Sequence, residues 1–259
     1  MLDSYENFKT AFLKLSHIDL NLYKEAQMKR RINSFLSRLG IHTYEQFLAH
    51  IKADSDCYDK FIAYLTINVS EFYRNPLQWV TLEKEVIPYL KMMFGKRLKI
   101  WSAACSTGDE PYSLAMVLSE LVPDCQLEIL ATDLDKDVLQ RAKKGLYSEK
   151  SVVGLPDRYR KKYLIDDGSG VVRVCDKIKD CVRFSEHNLL KDKYEVGFHL
   201  IVCRNVLIYF TEEAKDEIYC NFAKSLHKDG ILFVGSTEQI IGPEKFGFNS
   251  FRSFFYQRL

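Results

Sequence analysis

The sequence predicts an α/β protein in which a helical N-terminal unit precedes a parallel sheet with helices on both faces. Three observations carry this expectation. From residue 5 to about residue 94 the apolar residues recur at helical spacing, as in Tyr44, Phe47, Leu48 and Ile51, and nothing reads as a strand. Short continuous apolar runs then take over at residues 98–104, 127–132, 199–203 and 231–234, the first three followed by helical patterns. Runs of that length alternating with helices suit parallel strands buried on both faces. Finally, 259 residues with 47% hydrophobic content are enough for two modest domains.

Taken in order, Gly40 follows Leu39 where a helix C-cap glycine belongs, and Pro76 follows Asn75 where a new helix can begin. These signals divide the chain into a helical domain at 1–76, a connecting helix at 77–95 and a sheet domain at 96–259. Residues 163–184 contain Asp166-Asp167-Gly168-Ser169-Gly170 and then the alternating Val171-Val172-Arg173-Val174, read as a loop and small antiparallel hairpin. The hairpin would be part of an insertion at about 150–184. Residues 253–257 read as a final strand.

Charged residues make up 28% of the chain and nearly balance at +2, so no global attraction to nucleic acid is expected. The opening MLDSYENFKT lacks the layout of a signal peptide, and no apolar stretch approaches the roughly 20 residues that span a bilayer. A soluble cytoplasmic protein is expected. Seven cysteines, Cys57, Cys105, Cys125, Cys175, Cys181, Cys203 and Cys220, form no C-x-x-C pair, which argues for reduced thiols and against a zinc site or a disulfide framework.

Ligands of open parallel sheets sit beyond the carboxyl ends of the strands. After the first strand comes Cys105-Ser106-Thr107-Gly108-Asp109-Glu110-Pro111-Tyr112, a loop with a single glycine and two acids at a helix start. A dinucleotide site would want G-x-G-x-x-G, and two carboxylates there would repel a pyrophosphate. The same loop suits a cationic adenosyl ligand, and S-adenosylmethionine carries an ammonium and a sulfonium. Asp133, ending the second strand, is placed to accept both ribose hydroxyls. Helix-start stabilisation is the alternative for Asp109 and Glu110, and a turn carboxylate for Asp133.

At these residues the chain resembles the CheR family of chemotaxis receptor glutamate methyltransferases. Four segments in the right order carry the resemblance: Thr66-Ile67-Asn68-Val69-Ser70-Glu71-Phe72-Tyr73-Arg74, residues 101–113, His187-Asn188-Leu189-Leu190, and Cys203-Arg204-Asn205-Val206-Leu207-Ile208-Tyr209-Phe210. Ser70 and Tyr73 stand where threonine and phenylalanine are more usual. The resemblance implies an N-terminal helical domain, then a class I S-adenosylmethionine-dependent methyltransferase domain of Rossmann-like fold with an inserted antiparallel subdomain. It implies that Asn68, Ser70, Arg74, Glu110, Asp133, Asn188, Leu189, Arg204 and Asn205 line the cofactor site. Arg74 and Tyr209 would face the transferred methyl, with S-adenosylhomocysteine as product and no metal.

A glutamate carboxylate, with a reference pKa of about 4.3, is ionised at neutral pH and needs no general base, so alignment of the reactants is the expected catalytic task. Arg74 brings a rigid fork of donors and Tyr209 one hydroxyl, and either could steer a carboxylate. In the helical unit, Lys24-Glu25-Ala26-Gln27-Met28-Lys29-Arg30-Arg31 and Arg38 concentrate positive charge, with Arg31 and Arg38 two turns apart on one side. With the resemblance, Lys24, Arg30, Arg31 and Arg38 become a dock for the acidic helical bundle of a receptor; a solvated face is the alternative. The expected enzyme is a bacterial monomer acting on methyl-accepting receptors, with no nucleic acid partner and no membrane insertion. The short connection at 164–171 leaves little edge for an added receptor-tail strand, so methylation without a C-terminal tether is expected. Rival readings are a nucleic-acid or small-molecule methyltransferase on the same fold, and a non-catalytic cofactor sensor.

Overall fold

The computed structural model describes residues 4–122, 126–166 and 168–259. Residues 1–3 of the opening segment, Cys125 and Asp167 of the hairpin loop lie outside the described residues. The chain packs as two units, Met1–Asn68 with Tyr209–Asp216, and Val69–Ile208 with Glu217–Leu259.

The first unit holds helices α1 (Tyr5–Ser16), α2 (Glu25–Arg38), α3 (Tyr44–Ala53) and α4 (Ser55–Thr66). Side chains of Ser4, Thr43 and Asp54 accept backbone N–H bonds at the starts of α1, α3 and α4, using donors that a helix leaves unpaired. Gly40 ends α2 as expected: at φ +67° its N–H donates to the Ser37 carbonyl at 3.2 Å while Ile41 N–H reaches the Leu36 carbonyl at 3.0 Å. Phe8, Phe12, Phe47 and Phe61 are fully buried, and Phe47 meets Phe61 edge to face at 4.7 Å. The segment from Tyr209 joins this unit because Lys24 N–H donates to the Tyr209 carbonyl and Thr211 N–H to the Leu22 carbonyl.

The second unit begins with α5 (Pro76–Thr81), a π-helical turn (Leu82–Val86) and α6 (Ile87–Phe94). Then follow β1 (Arg97–Ala103), α7 (Asp109–Leu121), β2 (Gln126–Asp133), α8 (Lys136–Lys144), β3 (Leu146–Ser148), α9 (Asp157–Tyr163), β4 (Leu164–Asp166), β5 (Val171–Val174), α10 (Asp176–Lys179), β6 (Val182–Glu186) and β7 (Phe198–Cys203). The chain closes with α11 (Glu212–Ser225), β8 (Leu226–Val234), β9 (Phe248–Arg252) and β10 (Phe255–Arg258). The main sheet runs β6-β2-β1-β7-β8-β10-β9, with β10 antiparallel to β8 and β9 and the rest parallel. Ile100 at its centre sits between Ile129 and Leu200, all three fully buried.

Three expectations need correction. The break expected at residue 76 falls instead between Asn68 and Val69, because Phe72, Tyr73 and Trp79 belong to the core under the sheet. A helical period shows that a segment is helical but not which core it joins. The insertion is a three-stranded antiparallel sheet, β3-β5-β4, which begins at Leu146, ahead of the expected residue 150. Residues 182–184, assigned to that insertion, belong to β6, which pairs parallel with β2 in the main sheet. Both β6 and β9 escape a search for apolar runs because they are edge strands with exposed faces.

His199 in β7 accepts the Lys99 N–H through Nδ1 at 2.9 Å, and burial, with His227 and Lys99 nearby, lowers its pKa from the usual 6.5. The unfolded chain therefore takes up this proton first, so stability present at neutral pH is lost as pH falls through 6.5 toward the folded value. His199→Asn, which keeps an acceptor but does not titrate, is expected to flatten that loss. For a half-exposed imidazole the effect is a fraction of the ~1.4 kcal/mol per pH unit carried by one fully linked proton. Urea midpoints at neutral and mildly acidic pH for both proteins check it, and equal slopes would exclude His199 as a source.

Candidate active site

The carboxyl ends of β6, β2, β1 and β7 lie side by side in the sheet, and of the residues singled out in the sequence Asp133 ends β2, Glu110 follows β1, Asn188 and Leu189 follow β6, and Arg204 and Asn205 follow β7. After β1 the chain turns through Ala104 at φ +60° and Ser106 at φ +49°, and after β7 through Asn205 at φ +62°. Left-handed conformations at non-glycine residues cost energy and are commonly retained at ligand sites. Gly108 sits at φ +90°, and a Cβ there would lie 2.9 Å from the Ala142 Cβ, so glycine is required on both counts.

Asp133 is buried; one oxygen accepts the Ser106 N–H at 2.8 Å and the other the Asp135 N–H at 3.0 Å. It therefore shapes the β1 loop, which supports the turn alternative, while each oxygen retains a lone pair for a ligand donor. Glu110, in the first turn of α7, accepts from Ser102 Oγ at 2.8 Å and pairs with Arg204 at 3.3 Å. Arg204 extends its other nitrogen to the Arg74 carbonyl at 2.7 Å, to Asn75 Oδ1 at 3.1 Å and to Gln78 Oε1 at 2.7 Å. It thus ties the end of β7 to the start of α5. Arg74 itself donates to the Val69 carbonyl at 3.2 Å.

Burial raises the pKa of Asp109, Glu110 and Asp133; Thr107 chiefly opposes it for Asp109, Arg204 for Glu110 and the Asp135 and Ser106 N–H groups for Asp133. Three carboxylates gathered at the end of β2 and just after β1, Asp109 and Asp133 buried and Glu110 partly so, suit a cationic ligand and oppose a phosphate. Asp109 accepts from Thr107 Oγ1 at 2.5 Å and interacts with Ser70, and Ser70, Thr107, Asp109 and Tyr147 help line a cavity of 280 Å³. Among the described residues no cluster of His, Cys, Asp or Glu could hold a metal ion.

The comparisons with known proteins extend over most of the chain. A family model described as CheR methyltransferase, SAM binding domain, matches residues 68–255, and one described as CheR methyltransferase, all-alpha domain, matches residues 3–66. The chain belongs to the CheR methyltransferase family. It is similar to a chemotaxis protein methyltransferase of Listeria monocytogenes, 46% identical over 239 residues that cover 92% of this chain and 91% of that one. A Listeria innocua protein of the same description matches with the same identity and coverage. Another, from Borreliella burgdorferi, is 30% identical over 237 residues, 87% of this chain and 84% of that one. The all-helical domain, the S-adenosylmethionine-binding methyltransferase domain and the small antiparallel sheet expected from the sequence are thus established.

Other residues of the CheR site reading are placed as follows. Asn188 and Leu189 follow β6: Asn188 Oδ1 accepts the Leu190 N–H at 2.9 Å, and Leu189 is buried with its carbonyl accepting from Tyr194 Oη at 2.8 Å. His187 N–H donates to the Asp133 carbonyl at 3.0 Å, which ties this loop to the end of β2. Asn68 and Tyr209 fall in the helical unit, where Asn68 Nδ2 donates to Thr66 Oγ1 at 3.0 Å and the Tyr209 carbonyl accepts from Lys24.

Of the basic residues expected to dock a receptor, Lys24, Arg30 and Arg38 are exposed. Arg31 has an internal role: its guanidinium lies over the Tyr64 ring at 4.5 Å and donates to the Tyr64 carbonyl, in the last turn of α4. Arg38 covers the same ring at 5.0 Å. Two guanidiniums on one helix side are therefore used partly to hold α2 to α4, which the charge pattern alone did not show.

Glu238 was missed by the sequence reading. Its buried carboxylate accepts backbone N–H bonds from Asn205 at 2.6 Å, Leu207 at 2.7 Å, Gly235 at 2.9 Å and Ile208 at 3.3 Å. Gly235 is required here, since a Cβ on it would meet the Glu238 Oε2 at 2.4 Å. The available signal was Gly235-Ser236-Thr237-Glu238 directly after an apolar run, at the end of β8 beside β7.

Proposed function

We propose that this chain is a protein-glutamate O-methyltransferase that esterifies glutamate side chains on the cytoplasmic helical bundle of chemotaxis receptors. The observation that carries the reading is the set of carboxylates, buried Asp109 and Asp133 and partly buried Glu110, at the end of β2 and just after β1 in a chain of this family. When bound, S-adenosylmethionine supplies an electrophilic methyl on a positively charged sulfur. Glu110 and Asp133, with Ser70, Asn188, Leu189, Arg204 and Asn205, would hold it, joined by Asn68. Arg74 and Tyr209 align the acceptor carboxylate, which needs no base because it is already ionised. Restricting the reactants to one geometry is then the main catalytic contribution, on the order of 7 to 11 kcal/mol.

The remaining parts of the proposal follow the chemistry of the surface. Lys24, Arg30 and Arg38 present positive charge to an acidic receptor bundle, a long-range attraction that falls with added salt. The β4 to β5 connection is short, so methylation proceeds without a receptor-tail tether. The enzyme is a cytoplasmic monomer that uses no metal and releases S-adenosylhomocysteine. Incubation with methyl-labelled cofactor and receptor-containing membranes is expected to give an alkali-labile methyl ester on receptors with or without their tails. Label on nucleic acid or small molecules instead, or none on receptors, would defeat the reading.

Asp133→Ala is expected to weaken binding of S-adenosylhomocysteine by roughly 1.5 to 3 kcal/mol, the value of hydrogen bonds to a charged group. Asp133→Asn, which keeps one acceptor oxygen, is expected to lose less. Calorimetry decides, and an unchanged affinity in folded Asp133→Ala would leave Asp133 with only its role in the turn.

A further inference from the structure

Arg74 lies between two residues in the left-handed region, Tyr73 at φ +56° and Asn75 at φ +60°. For a residue as bulky as tyrosine that conformation is costly and persists only where the surroundings impose it. Three anchors do so. Tyr73 N–H donates to Ser113 Oγ at 3.2 Å, the Tyr73 ring stacks on Trp79 at 4.9 Å, and the Tyr73 hydroxyl donates to Glu83 Oε1 at 2.7 Å. The Arg74 carbonyl is held in turn by Trp79 Nε1 at 2.9 Å.

Glu83 stands in the π-helical turn that follows α5, a local geometry that recurs at functional sites. Its carboxylate is mostly buried, with the side chain 11% exposed, and it gathers more than Tyr73. Tyr159 Oη donates to Oε1 at 2.8 Å, and the Arg158 guanidinium, itself well exposed, pairs with Oε2. Both of those residues belong to α9, the helix that leads into the inserted sheet. The Tyr73 hydroxyl is thus the group that joins the Arg74 corner to this carboxylate.

We propose that Glu83 is a positioning residue for methyl transfer: through the Tyr73 hydroxyl it holds the strained corner that aims Arg74, and through Tyr159 it fastens that corner to the inserted subdomain. The inference rests on the assignment of Arg74 to the reacting centre. Glu83 touches no reacting atom. Its contribution is to limit the arrangements open to a long side chain, and small displacements at a reacting centre carry large rate penalties.

The test uses the full chain with Glu83→Ala, Glu83→Gln, Tyr73→Phe and Arg158→Ala. Three readouts are followed: kcat and KM for labelled methyl transfer to receptor membranes, calorimetric affinity for S-adenosylhomocysteine, and tryptophan emission. Trp79 reports on the corner, whereas Trp101 packs against His187, Tyr194, Phe198 and Phe222. Glu83→Ala is expected to lower kcat on the order of ten- to a hundredfold with a smaller change in KM, and to shift Trp79 emission. Glu83→Gln, still an acceptor for both tyrosines, restores most of the rate. Tyr73→Phe falls in the same direction as Glu83→Ala, and Arg158→Ala, which removes only the exposed ion pair, stays near wild type. A folded Glu83→Ala with wild-type kcat and emission, or variants that lose only melting temperature, would overturn the proposal. If Glu83→Ala does not fold, Tyr73→Phe decides: unchanged kcat and emission overturn it. If wild-type protein methylates no receptor, the functional reading alone has failed, and Trp79 emission decides for Glu83 by the same criterion.

Discussion

Glu238→Ala is expected to cost roughly 4 kcal/mol or more and to collapse the loop after β7. Four backbone N–H groups, from Asn205, Leu207, Ile208 and Gly235, end on this one carboxylate. Removing the acceptor leaves each donor unsatisfied unless water enters, at about 1 to 3 kcal/mol per buried group. Asn205 is already in the left-handed region at φ +62°, a conformation that costs energy and depends on the contacts that impose it. A domain of this size has a total stability of only about 5 to 15 kcal/mol, which makes such a loss visible in any denaturation curve. Glu238→Gln, which retains one strong acceptor oxygen, is expected to fall between the two. Urea denaturation measures the order, and S-adenosylhomocysteine affinity should fall with it because Arg204 and Asn205 lie on the same loop. A melting curve of Glu238→Ala that matches wild type would show that the loop does not depend on this carboxylate.

Arg204→Ala is expected to cost roughly 3 to 5 kcal/mol, the usual penalty for removing one member of a buried ion pair. The side chain of Arg204 is 2% exposed, and its loss leaves Glu110 without this cation and Asn75 Oδ1 and Gln78 Oε1 without this donor, while the Arg74 carbonyl keeps the bond from Trp79 Nε1. Arg204→Lys is not a rescue, since a single ammonium cannot bridge Glu110 and the start of α5 as the planar fork does. Glu110→Gln keeps the bond from Ser102 and removes the partly buried negative charge, so it should unfold less readily than Arg204→Ala while binding a cationic cofactor more weakly. Paired denaturation and calorimetry separate these effects. Equal stability of Arg204→Ala and wild type would mean that the pair only balances its own desolvation.

The central strands were readable in the sequence because burial on both faces demands continuous apolar runs, and β1, β2, β7 and β8 each contain one. Gly40, Pro76, Gly108 and the acids at the start of α7 were readable for a related reason: caps and tight turns impose residue types locally. The acidic loop after β1 and the family resemblance rest on such short, contiguous segments.

The rest depended on contacts between residues distant in the chain. Strands β6 and β9 have no buried run because each has a neighbour on one side only. The helix α5 reads like those before it, yet Trp79 and Tyr73 join the core beneath the sheet. Glu238 is an ordinary acidic residue until the end of β8 lies beside that of β7 and four amides converge on it. Arg31 reads as a surface charge until α4 brings the Tyr64 carbonyl beneath it. Local composition and period determined which segments are helix, central strand or tight turn, since those depend on a residue's own neighbours. Which buried charge meets which partner was decided only by the tertiary structure, because a hydrogen bond between residues 33 or 130 apart leaves no pattern in the chain.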